Sequence, residues 1–195
     1  GAIYEDLDQL SQLTLQKVFL RMVNNEGGEL TGRRVLLSEL GYRNNAENER
    51  VAAIIDQMVE ARLIIKGADI NQQKYIEPAH DALIYSWLKL RGWIRTYGQE
   101  TLSLQSRLSE AVKVYHENDQ DENLLYHSDP RLDQLRAVSG SSFNWLNAAE
   151  EDFIEKSYQL KVKRRRQFIR NLVAVIVALL GLTTAAVWFG LQSHI

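Results

Sequence analysis

The sequence contains no cysteine. Disulfides, thiolate metal sites and a cysteine nucleophile are thereby excluded, and the absence fits a reducing cytoplasm. Proline occurs twice in 195 residues, at Pro78 and Pro130. Each falls where a helix is expected to begin, since proline lacks an amide hydrogen and fits a first helical turn. No Gly-x-x-x-x-Gly-Lys-Ser/Thr loop, Gly-x-Ser-x-Gly elbow or His-Glu-x-x-His pair occurs. His116, His127 and His194 are scattered, and no residues show metal-ligand spacing. Carboxylates are plentiful but none is singled out, so no catalytic constellation is visible. Gly1 rather than Met stands first, and the chain is expected to be a segment of something longer.

Acidic residues are missing from one place in particular. Lys161, Lys163, Arg164, Arg165, Arg166 and Arg170 form a basic run with no Asp or Glu among them. The net charge of −2 conceals this asymmetry: 23 basic residues less those six leaves 17 against 25 acidic ones in the rest of the chain. The body is acidic and the positive charge is concentrated at one point.

Residues 75–94 are the most informative stretch. Residues 74–77 read as a short strand, and a helix is expected to open at Pro78 or Ala79. His80 and Asp81 would lie in its first turn, where unpaired N–H groups can bind an anion. Leu83, Trp87, Leu90 and Ile94 follow at spacings of four, three and four, a buried helical stripe. The alternative for His80 is a hydrogen-bonded core histidine near a helix start. Trp87 and Trp93 could form a binding platform, but their apolar neighbours favour core packing.

Along the rest of the chain, residues 4–24 predict a helix carrying Leu15, Val18, Phe19, Met22 and Val23 on one face. Residues 24–28, ending in Gly27 and Gly28, are expected to stop it. Residues 29–37 suggest an edge strand, and residues 38–42 one helical turn. Asn44 to Glu47 resembles a capping box opening a helix through about Arg62, with Val51, Ile54, Ile55, Met58 and Val59 inward. Residues 63–66 and 74–77 then form a two-stranded wing around the turn at 67–71. This order matches a winged-helix domain with an extra C-terminal helix, placed at residues 1–97.

A helical segment follows over 98–146. Leu104, Leu108, Ala111, Val112 and Tyr115 make one stripe, residues 118–121 break it, and Leu124 to Tyr126 is a short apolar patch. Ser128, Asp129 and Pro130 open a short helix over 131–138, and residues 139–142 form a flexible break. Asn147 to Glu150 is a second capping-box-like start. The fold class expected is mainly α, with a small β wing and one C-terminal transmembrane helix.

That last helix divides into a basic juxtamembrane part at 147–170 and a transmembrane part at 171–192. Residues 172–191 carry no charge. Twenty residues at ~1.5 Å each reach ~30 Å, the thickness of a bilayer's hydrocarbon core. The C-terminal position excludes a secretory signal. Thr183 and Thr184 can bond back to their own backbone, Gly181 and Gly190 are common in membrane helices, and Trp188 suits an interfacial aromatic. The six basic residues would meet lipid headgroups, each contributing roughly 1 kcal/mol near an anionic leaflet. The positive-inside rule then places residues 1–170 in the cytoplasm, with the C-terminus on the opposite side. Nucleic acid and a solvated helix face are the other readings of that run. A winged helix also raises DNA binding. Glu47, Glu49, Asp56 and Glu60 make the candidate recognition helix net acidic, so no nucleic-acid partner is expected.

The run from Pro78 to Ile94, with Ala79-His80-Asp81 at its head, resembles bacterial STAND-class signalling NTPases. It is closest to the region after the NTPase core in the "novel STAND" type. Thr31-Gly32-Arg33-Arg34-Val35, Ala61-Arg62-Leu63-Ile64 and the helix around residues 105–112 resemble neighbouring parts of the same family. Residues 152–157 and the Arg-rich run resemble its lead-in to a membrane helix. Ala79-His80-Asp81 is similar to the Met-His-Asp motif of plant resistance proteins and apoptosome-type ATPases, with Ala in place of Met. The resemblance implies that His80 contacts the β-phosphate of ADP and holds a closed state, with Asp81 as an internal hydrogen-bonding support. It further implies an upstream NTPase domain binding ADP or ATP with magnesium, and homo-oligomer formation on activation. No cofactor is expected in this segment and no hydrolysis by it. A membrane-anchored interaction scaffold without a nucleotide role is the rival expectation.

Overall fold

Asp8 ends one short helix and starts another. Its carboxylate accepts the Leu10 and Ser11 amides at 2.9 and 3.1 Å. The single helix expected over residues 4–24 is therefore two, α1 (Ala2–Glu5) and α2 (Gln9–Arg21). The computed structural model describes residues 2–26, 29–141 and 143–192. The expected stop at Gly27 and Gly28, the break at Ser142 and the tail after Gln192 fall outside these residues, as does the side chain of Trp188.

Val23 and Asn24, expected at the end of that helix, belong instead to strand β1 (Val23–Glu26). It pairs antiparallel with β2 (Glu29–Gly32) in the register Val23↔Gly32. Asn24 and Asn25 are weak helix formers, and the cross-strand ladder gives their backbones partners. The edge strand expected over 29–37 divides between two sheets. β3 (Val35–Leu36) belongs with β4 (Ile64–Ala68) and β5 (Lys74–Pro78) in the order β3-β5-β4. A 3₁₀ turn, Leu37–Leu40, leads towards α3 (Asn45–Glu60).

Asn44 caps α3, accepting the Ala46 amide at 2.9 Å. Glu47 does not reach back to complete the box. Its carboxylate is taken by the Thr14 hydroxyl and Lys17 on α2, both at 3.2 Å, and by Arg50. Tertiary pairing thus overrides the local cap and fixes α3 against α2.

The helix expected from Pro78 or Ala79 through Ile94 is also corrected. Pro78 ends β5, and the Ala79 amide donates to the Leu63 carbonyl at 3.0 Å, carrying the pairing one step beyond the ladder. The chain turns helical only at α4 (Ala82–Ser86), breaks at Trp87 (ψ 101°), and resumes as α5 (Leu88–Tyr97). The Trp87 ring stands edge-on to Phe19 and Trp93 at 5.0 and 5.3 Å, so both tryptophans serve the core.

α6 (Gln99–Glu117) ends where Asp119 and Gln120 take positive φ, 50° and 59°. α7 (Arg131–Ser139) follows, with the Asp129 carboxylate accepting the Arg131 amide at 2.9 Å. α8 (Ala148–Gln192) closes the described chain. Two apolar clusters result. One gathers α2, α3, the three-stranded sheet and α5 around Phe19, Met58 and Ile76. The other gathers α6, α7 and the start of α8 around Leu108, Leu135 and Phe153.

Leu160 is the last side chain of α8 buried in the second cluster. From Lys163 to Thr184 every residue is exposed. The apolar part of α8 is thus not buried by the rest of the described chain. Among the described residues it is the helix long and apolar enough to cross a membrane. Thr183 and Thr184 bond back to the Leu180 and Gly181 carbonyls at 2.8 and 2.9 Å, as the sequence suggested.

Candidate functional site

His80 lies in the turn between β5 and α4 rather than in a helical first turn, and it is exposed. Helix α4 has five residues, too few to act as an anion site through its dipole. The Asp81 side chain makes no cap bond to it. That carboxylate lies instead against Gly32 of β2, close enough that a Cβ there would come within 3.0 Å of Oδ1. Neither the His80 nor the Arg62 side chain has a hydrogen bond or ion pair among the described residues.

A cavity of about 360 Å³ opens beside this turn. Leu15, Met58, Leu63, Leu83 and Trp87 make it apolar, while Arg62 and His80 add polar groups. Its size falls within the range of ligand clefts. Periodicity gave His80 but not the cleft, because the cleft is assembled from α1, α2, the end of α3 and α4, far apart in sequence.

The basic run behaves as two groups. Lys161 Nζ binds both Asp133 oxygens, at 3.0 and 3.1 Å, and braces α8 to α7. Arg164 donates to His127 Nε2 at 2.6 Å, while His127 Nδ1 lies 3.2 Å from the Leu125 carbonyl. His127 thereby links the Leu125 carbonyl to Arg164 of α8. Lys163, Arg165, Arg166 and Arg170 are exposed, with no ion pair among the described residues. Successive helical residues lie about 100° apart, so these four unpaired residues fall within an arc of about 160° on α8, while Arg164 faces His127 of the body.

A charged junction that periodicity did not single out joins the two apolar clusters. Arg21, at the end of α2, meets Glu150, in the first turn of α8, through two parallel hydrogen bonds of 3.0 and 2.5 Å. Both side chains are fully buried. Arg21 also donates to the Trp145 carbonyl at 2.9 Å, and the Ser109 hydroxyl donates to Glu150 at 2.8 Å. Burial opposes the Arg21 charge, but adjacent Glu150 outweighs it and holds the guanidinium above its ordinary value. Glu150 closes a capping box as well. Its carboxylate accepts the Asn147 amide at 2.9 Å, and Asn147 Oδ1 accepts the Glu150 amide at 2.8 Å. The box was legible in sequence. Its tie to Arg21 was not, because Arg21 falls among the apolar positions of α2 and its partner is 129 residues away.

Comparison with known proteins adds one positive finding. The family model described as Novel STAND NTPase 1 matches residues 1–123, from α1 through α6, and ends before α7 and α8. No curated protein and no solved structure matches the chain.

Proposed function

The chain belongs to the novel STAND NTPase 1 family, and from that premise we propose that it is the regulatory and membrane-anchoring segment of a STAND signalling switch. Residues 1–97 act as a winged-helix domain. The support is the order α2, β3, 3₁₀ turn, α3 and the β4–β5 hairpin, with β3 lying beside β5 and the β1–β2 hairpin placed between α2 and β3. An upstream NTPase domain of the same protein binds ADP or ATP with magnesium, and His80 contacts the ADP phosphate from the winged-helix side. Hydrolysis belongs to that upstream domain.

One observation carries this reading. His80 is exposed beside a ligand-sized cleft, and its imidazole is unoccupied by any group among the described residues. A buried histidine with its hydrogen bonds filled would have spoken for a purely packing role. Asp81, against Gly32, positions the turn rather than the ligand. A phosphate contact made in one state alone gives ADP and ATP different affinities for the closed form, which is what a population shift requires. Release of the clamp then permits self-association.

α8 anchors this body in a bilayer, with residues 1–170 cytoplasmic and the C-terminus on the other side. The exposed apolar run and the basic run just before it support this. Lys163, Arg165, Arg166 and Arg170 meet lipid headgroups, with Lys161 and Arg164 shared with the body.

The test uses the full-length protein. His80→Ala is expected to speed ADP release and raise basal signalling. Unchanged ADP retention together with unchanged basal activity would leave the interaction-scaffold reading in its place. A reporter fused after Ile195 is expected to report a non-cytoplasmic position; a cytoplasmic signal overturns the orientation.

A further inference from the structure

The geometry points to Arg62 as a further contact, and a cationic one, for the diphosphate that His80 meets, an inference that rests on the nucleotide reading of the cleft. Helix α3 closes with paired bonds: the Arg62 amide to the Val59 carbonyl and the Leu63 amide to the Met58 carbonyl, both at 2.9 Å. This is a Schellman closure, and Arg62 occupies its left-handed position with φ 58°. Glycine adopts that conformation at least cost, and a long side chain there is strained. An arginine at this position therefore carries a conformational cost without a compensating contact inside the described fold.

Its placement relative to His80 supplies the missing role. β4 and β5 pair in the register Ile64↔Pro78, and the Ala79-to-Leu63 bond extends that pairing by one step. Arg62 and His80 adjoin the two ends of that Leu63–Ala79 bond, and both line the cleft. A guanidinium and an imidazole thus flank the same cleft, and neither has an acidic partner among the described residues. Met58 and Leu63 form the apolar contact of the closure and also line the cleft. Such a surface excludes water and strengthens ionic contacts made at its edge. A guanidinium binds a phosphate through two parallel hydrogen bonds, whereas an imidazole offers one donor at a time. Arg62 is thereby suited to hold the terminal phosphate while His80 completes its coordination. The ligand class is a nucleoside diphosphate held mainly by the upstream domain.

The strained backbone makes the test sharp, because binding and folding respond in opposite directions to one substitution. In the full-length protein, Arg62→Ala and Arg62→Gly are each expected to speed release of a fluorescent ADP about tenfold, with Arg62→Lys intermediate. Release of the corresponding AMP analogue stays unchanged. Arg62→Gly also leaves Tm equal or higher, since glycine relieves the left-handed strain. ADP release within about twofold of the parent for both variants would overturn the assignment, as would an equal effect on AMP, which would mean that Arg62 meets a carboxylate of the facing domain. Faster ADP release by Arg62→Gly accompanied by a lower Tm overturns it too, as a folding effect. The two readings separate cleanly: an effect of His80→Ala without one of Arg62→Ala removes Arg62 alone, and the converse removes the His80 contact alone. Silence of both removes the nucleotide reading of the cleft.

Discussion

Arg21 and Glu150 are locked together by two parallel hydrogen bonds with neither side chain reaching solvent, one on the second helix of the body and the other at the root of the C-terminal helix. Desolvating two charges is costly, and further hydrogen bonds to both members offset it, although Arg21 Nε is buried without a hydrogen-bond partner among the described residues. Ser109 and the Asn147 amide take further lone pairs of Glu150, and the Trp145 carbonyl takes an Arg21 proton.

Removing one member leaves the other charged and buried. Arg21→Met is expected to cost about 3–5 kcal/mol of stability, measured by urea unfolding in detergent micelles. Adding Glu150→Leu to it restores a substantial part, because the stranded charge is gone. A double variant as unstable as the sum of the two single ones would show that the pair acts through packing alone.

Tyr97 predicts the opposite sign. Its hydroxyl is buried without a hydrogen-bond partner among the described residues, and burial pushes its pKa well up. The ring itself packs edge-on to Phe143 at 5.7 Å. Tyr97→Phe keeps the ring and removes the unpaired group. Stability is expected to stay level or rise by about 1 kcal/mol. A loss of more than that would reveal a hydroxyl partner.

Glu47 gives a pH dependence. Burial raises its pKa, but Arg50 and Lys17 outweigh burial and hold it below the ordinary value of 4.5. A carboxyl depressed in the folded state contributes stability that is fully present above 4.5 and is lost as pH falls through its lower folded value. Denaturation midpoints followed downward from pH 6 should therefore fall, and the fall should be shallower in Glu47→Gln. Identical profiles for the two proteins would remove Glu47 from the acid response.

Periodicity was a good guide wherever one face of a long helix met one core. α3 and α6 are of that kind; the apolar part of α8 was legible by its length and composition instead, and the Asn147–Glu150 cap by its two local bonds. It misled where tertiary hydrogen bonds competed with local propensity. Val23 and Asn24 joined a ladder instead of finishing a helix. Ala79 bonded to Leu63 and delayed a helix by several residues, which moved His80 out of a first turn. The family resemblance supplied His80, and the Novel STAND NTPase 1 match supports the context from which it came. Arg62 carried only a faint signal, a helix end with no glycine or asparagine where the chain turns into a strand. Arg21 carried none, since its partner is 129 residues distant.

The unbroken course of α8 has one more consequence. Its 45 residues make a shaft about 67 Å long, clamped at Glu150 and passing Gly181 without interruption. A shaft without a hinge transmits rotation. The phase between the buried root and the apolar end is set by residue count in steps of about 100°. The number of residues between Leu160 and Leu172 therefore works as an angular dial, fixing which apolar side chains of α8 lie in line with its buried face.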